Sequence, residues 1–88
     1  MNVCIVSTFS CDFEKFKELF DLSNQVIGEW CSEAELIKVN DHKSIMLADV
    51  IDLDKMKEFM SAPEMLEWDK QNNCVDHVYS MERINSSR

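Results

Sequence analysis

An 88-residue chain with a formal charge of −8 makes one domain that buries only about 60–65% of its unfolded surface, so association that covers more of it is favoured. The acidic balance excludes a phosphate-neutralising nucleic-acid binder and a protein held on anionic membranes. No apolar run nears the ~20 residues of a bilayer span, and the single glycine leaves no glycine loop to cradle a phosphate.

No basic segment precedes the first apolar residues, and a cytoplasmic protein is expected. Val3 to Thr8 read as a strand, with Val3, Ile5 and Ser7 on one face and Cys4, Val6 and Thr8 on the other. Ser10 or Asp12 then caps a helix whose apolar stripe is Phe13, Phe16, Leu19 and Phe20, while Glu14, Lys15, Lys17 and Glu18 face water. Asp21 to Gln25 form helix poorly, Val26, Ile27 and Trp30 could extend the stripe, and Gly28 is the expected stop. From Glu33 to Val39, Ala34, Leu36 and Lys38 oppose Glu35, Ile37 and Val39, as in a strand with one solvated side. Asn40 to Lys43 form a polar turn that makes a hairpin with the next strand.

The rest of the chain is organised around Ser44 to Glu64. Ile45 to Ile51 are apolar except for Asp49, the pattern of an interior strand covered on both faces. Asp52 or Asp54 caps a helix bearing Leu53, Met56, Phe59 and Met60 on one side. Ser61 and Glu64 have capping-box spacing around Pro63, so a further helix begins there. After Asn72 and Asn73, Cys74 to Ile84 alternate as a last strand, with Val75, His77, Tyr79, Met81 and Arg83 on one face, and Asn85 to Arg88 are expected to fray. Strand, helix, strand, strand, helix, strand is the ferredoxin-like order. It predicts a single α+β domain over residues 1–88, with a four-stranded antiparallel sheet and helices on one face only. The other face is apolar, and a second copy of the chain is its expected cover, giving a homodimer.

This order, the Phe13/Phe16/Phe20 helix, Gly28 ahead of the second strand, the turn from Asn40 to Lys43 and above all the segment KEFMSAPEM from Lys57 to Met65 resemble small members of the dimeric α+β barrel superfamily. That superfamily includes antibiotic-biosynthesis-type monooxygenases. The resemblance spans about residues 3 to 84. It implies two sheets packed face to face, with any ligand held between sheet and helices, and it carries over no catalytic residue.

Among residues able to do chemistry, His77 and Tyr79 project together from one strand face, and Asp49 or Ser7 could approach them from neighbouring strands. Such a set could act as a general base with hydrogen-bonding partners. The plainer reading is a pair that hydrogen-bonds across a sheet end or dimer seam. Asp49, a carboxylate in an apolar strand, needs a partner, for which Lys38 or Arg83 is expected, and a structural ion pair outweighs a site acid. Met56, Phe59, Met60, Met65 and Trp68 make a soft apolar wall, suited to a flat or flexible ligand or else plain core. His42 lies in a polar turn without a second ligand nearby, and Cys4, Cys11, Cys31 and Cys74 show no CxxC pattern. Reduced thiols, no metal and no cofactor are therefore expected. The favoured reading is a homodimer that binds a small apolar molecule. The alternatives are a cofactor-independent monooxygenase or isomerase of the barrel type, and an acidic module that docks a basic protein.

Overall fold

Local pattern and pairing together set where each element begins and ends. A computed structural model describes residues 1–85; of the tail expected to fray, residues 86–88 lie outside the described residues. The elements are β1 (Val3–Thr8), α1 (Phe13–Leu22), α2 (Asn24–Ile27), β2 (Cys31–Asn40), β3 (Lys43–Val50), α3 (Leu53–Met60), α4 (Pro63–Gln71) and β4 (Val75–Ser80). The strands pair antiparallel in the order β2-β3-β1-β4, which is the ferredoxin-like α+β arrangement. The apolar β3 is interior, as its composition implies.

Side-chain caps explain the starts of α1 and α3. The Asp12 carboxylate accepts from the Lys15 N–H at 2.9 Å, and that of Asp52 from the Lys55 N–H at 3.1 Å. Ser61 departs from its expected role. Its hydroxyl donates back to the Lys57 carbonyl at 2.6 Å and closes α3. Ala62 stands at the start of α4 instead, because Pro63 takes the first helical position and holds the residue before it extended. The first helix also breaks earlier than Gly28, at Ser23, and resumes as the short α2. Gly28 then ends α2 with an ordinary φ of −60°. What a larger residue would meet there is the Gln25 carbonyl, 3.3 Å from an added Cβ.

Strand lengths follow partners. β2 reaches Cys31 and Asn40 because β3 still offers Val50 and Lys43 opposite them, with irregularities between Cys31 and Glu33 and between Lys38 and Asn40. β4 stops at Ser80, short of the expected Ile84, because β1 begins at Val3, its last partner.

Register then assigns the faces. Val3, Ile5, Ser7, Ser44, Met46, Ala48 and Val50 are buried, and Ile27, Trp30 and Met56 close over their apolar members from the helical side. Ala48 is 0% exposed. The other face carries Cys4, Val6, Ile45 and Leu47, only half-buried, with Ile37, Val39, Val75 and Tyr79 exposed. A single chain therefore covers one face of β3 and leaves the second open, where the sequence pattern anticipated two covered faces.

Candidate functional site

Three aromatic and sulfur-bearing helices cannot fill the space above the sheet completely. Phe16 and Phe20 from α1, Phe59 and Met60 from α3, and Met65 and Trp68 from α4 enclose a cavity of about 80 Å³ over Ile5 and Met46. Phe16 stacks on Phe9 at 4.5 Å and meets Trp68 edge-on at 6.0 Å, which fixes that wall. Four of the five residues expected to form a ligand wall stand here, Phe59, Met60, Met65 and Trp68. Met56 does not line the cavity and packs in the core beneath α3, 3% exposed.

One end of the cavity is polar. Ser7 Oγ donates to Asp76 Oδ1 at 2.5 Å, and Cys74 Sγ–H donates to the same oxygen at 3.6 Å. Ligating atoms of Asp69, Cys74 and Asp76 all lie within 4.8 Å of one another. The turn between α4 and β4 holds this group in place. Cys74 N–H bonds the Asp69 carbonyl at 2.8 Å, Asn73 takes the left-handed conformation at φ 50°, and buried Asn72 accepts from Ser10 N–H and Oγ. Asn suits that φ better than most residues.

Burial, and after it the negative charge of Asp76, push the Asp69 carboxyl above its ordinary value near 3.8, against the hydrogen bond from Cys74. Burial first, then the charges of Asp76 and Asp69, hold the Cys74 thiol far above the usual thiol range, so it stays protonated and acts as a donor. A raised carboxyl destabilises the fold once ionised: the cost is absent below the unfolded value and complete above the folded one. Asp69→Asn is therefore expected to raise stability at pH 7 by about 0.5 kcal/mol, or roughly 2–4 °C in Tm, a modest gain because solvent reaches the group. The difference from the parent chain in thermal melts shrinks as pH falls toward 4.

Trp30 and Ser44 each bury a polar atom, the indole Nε1 and the hydroxyl, without a partner among the described residues. Trp30 also lines the cavity. A groove of about 440 Å³ outside the helices shares Trp30, Phe59 and Met65 with it and adds Glu29, Lys55, Glu58 and Glu64.

His77, Tyr79 and Asp49 stand on the open sheet face, away from the cavity. His77 pairs across from Val6 and Tyr79 from Cys4, while Ser7, one residue along, points to the opposite side. Ser7 therefore cannot join His77. Asp49 lies on β3, with β1 between it and β4, and accepts from Ser32 Oγ at 3.2 Å. Its expected partner Lys38 pairs instead with Asp41 at 3.0 Å, where the hairpin turn brings the two together. His42 Nδ1 lies 2.9 Å from the Cys11 carbonyl oxygen, tying the turn to the loop before α1. The group of Ser7, Asp69, Cys74 and Asp76 escaped the sequence reading. The available signal was the alternation that sets Asp76 against His77, together with the short spacing from Asp69 through Cys74 to Asp76.

No family model and no curated protein matches the chain. Among solved structures, SnoaB, a cofactor-independent oxygenase from Streptomyces nogalater, is similar at a TM-score of 0.63 and 13% identity, over 99% of this chain and 98% of that one. A protein from Deinococcus radiodurans assigned as an antibiotic biosynthesis monooxygenase is similar at a TM-score of 0.53 and 13% identity, over 98% and 96% of the two chains. The chain therefore shares its ferredoxin-like α+β fold with these two proteins. At such identity the likeness concerns backbone architecture and assigns no side-chain role.

Proposed function

We propose that the chain is a single-domain cytoplasmic homodimer that binds a small, mainly apolar molecule between its sheet and its helices. The observation that carries this reading is the cavity itself, walled by aromatic and methionine side chains, with its carboxylates gathered at one end. Its thioether walls adapt to shape, which suits a flat or flexible guest. Native mass spectrometry of the protein as purified tests both parts. The expected result is a dimer carrying extra mass that is released on denaturation. A monomer counts against the dimer, and a bare dimer that apolar probes such as indole fail to stabilise counts against the site.

One observation favours a second reading, a cofactor-independent oxygenase or isomerase. Asp69 is a carboxyl with a raised pKa at the end of an apolar cavity, the setting in which a carboxylate takes a proton from a bound carbon or hydroxyl acid. The proton passes to Asp69 and the electron pair stays on the substrate. In this reading Asp69, and not His77 or Tyr79, is the base. With the retained molecule as substrate, Asp69→Asn loses turnover by about 10²–10⁴-fold, while His77→Ala does not.

A further inference from the structure

We propose that the cavity's ligand is an organic cation, an apolar body that ends in a protonated amine seated beside Asp69 and Asp76. This deepens the reading of the cavity as a ligand site and depends on it.

The charge of the wall is one-sided. Among the described residues, Asp69, Cys74 and Asp76 are the ionisable groups that line the cavity, and no Lys, Arg or His does. Ser7 and Cys74 both donate to Asp76 Oδ1 and Cys74 also serves Asp69, so the four oxygens of the two carboxylates share the hydroxyl and the thiol as side-chain donors. An anionic guest would meet the like charge of two half-buried carboxylates. A purely apolar guest would displace water from them and return nothing. An ammonium supplies three N–H donors and a positive charge, and offsets the repulsion that Asp76 exerts on Asp69. Trp68 and Phe16 stand in the same wall, and aromatic faces favour a cation beside them.

A second observation points to a ligand independently of the carboxylates. Trp30 is 2% exposed, lines the same cavity and has an indole N–H without a partner among the described residues. It stands just before Cys31, which pairs with Val50, whereas Ser7 pairs with Asp76 near the other end of the sheet. An acceptor oxygen or nitrogen at the guest's far end completes this buried donor once the indole turns to bring its N–H to the cavity surface.

Access agrees, and size sets a condition. The outer groove shares Trp30, Phe59 and Met65 with the cavity and carries Glu29, Glu58 and Glu64 against Lys55. With a formal charge of −8 on the chain, this mouth attracts cations. The cavity, at about 80 Å³, is smaller than the ~150 Å³ void that accepts benzene. A single ring with a short arm fits once Met60 and Met65 yield, or once part of it extends into the groove.

Tyramine, para-ethylphenol and para-hydroxyphenylpropionate share a phenol end and differ in the charge of the arm, and calorimetric titration of the intact chain with each at pH 7 tests the proposal. Tyramine is expected to bind at least about ten-fold more tightly than para-ethylphenol, and the anion most weakly. The Trp30 indole N–H resonance is expected to shift with tyramine. Asp69→Asn and Asp76→Asn are each expected to erode the preference while para-ethylphenol keeps its affinity within about two-fold. Equal affinity for tyramine and para-ethylphenol overturns the cation and leaves the apolar site standing, as does tighter binding of the anion. Failure of all three to bind overturns the site as well. Zn²⁺ binding that excludes tyramine and releases the Cys74 proton overturns the proposal in favour of a metal centre.

Discussion

Trp30→Ala is expected to remove about 3–5 kcal/mol of stability in urea unfolding, and Trp30→Phe about 1 kcal/mol. The indole is 2% exposed and packs at 5.7 Å against Phe59. Its backbone carbonyl, which any residue would supply, accepts the N–H groups of Ile51 and Asp52 and so joins the start of β2 to the end of β3. Truncation to alanine therefore opens a void without breaking that link, and the loss is a packing loss. The Nε1 donor has no partner among the described residues, so phenylalanine breaks no hydrogen bond seen there and forfeits only part of the ring contact. For a chain of this length total stability is about 4–13 kcal/mol, so the alanine variant loses between about a quarter of it and all of it. If phenylalanine proved as costly as alanine, the indole N–H would have a partner in solution, and Trp30 would no longer qualify as an unmet donor in the cavity.

The two tryptophans mark the boundary between what local pattern discloses and what it does not. β1, the hairpin at Asn40 to Lys43, the Asp12 and Asp52 caps and the interior position of β3 are written in contiguous residues: alternation, turn chemistry and a side-chain oxygen three residues before an N–H. Met56 and Met60 share one stripe, yet Met56 is core and Met60 is cavity wall. Helical spacing alone cannot separate them, because the distinction lies in whether the neighbouring helix reaches across. The polar end of the cavity is less legible still. Asp69 sits on α4, Ser7 on β1 and Asp76 on β4, and only the docking of α4 against the β1/β4 pair brings them together. A search for histidine and cysteine spacing passed over a cluster in which two of the three groups are aspartates. His77 and Tyr79 share one face of β4, but alternation cannot say whether helices or a second sheet cover it.

Val6→Glu is expected to convert the proposed dimer to monomer while leaving the protomer folded. Val6 is half-buried on the open face, between Ile45 and His77, with Ile37 beyond Ile45. That face is not uniformly apolar. Glu33 lies opposite Asp49 and Glu35 opposite Leu47, so one end of the β2/β3 pair is acidic, whereas Ile37, Val39, Ile45 and Val75 occupy the other. Two copies that overlaid their acidic ends would set like charges against each other at a cost of several kcal/mol. A two-fold axis near Val6 and Ile45 avoids this, because the apolar parts meet and the acidic ends lie outermost on opposite sides. A glutamate at position 6 would then face its own symmetry mate across the axis, desolvated and without a counter-charge, and a penalty of about 3–5 kcal/mol raises the dimer dissociation constant by roughly 10²–10³-fold or more. In the free protomer the same glutamate points into water and costs little. Sedimentation equilibrium of parent and variant at matched concentration, with circular dichroism to check the fold, reads the difference directly. Persistence of the dimer in Val6→Glu would move the interface off this face. High salt is expected to restore little of the dimer, since the two glutamates that meet at the axis are desolvated and screened far less than charges at the surface.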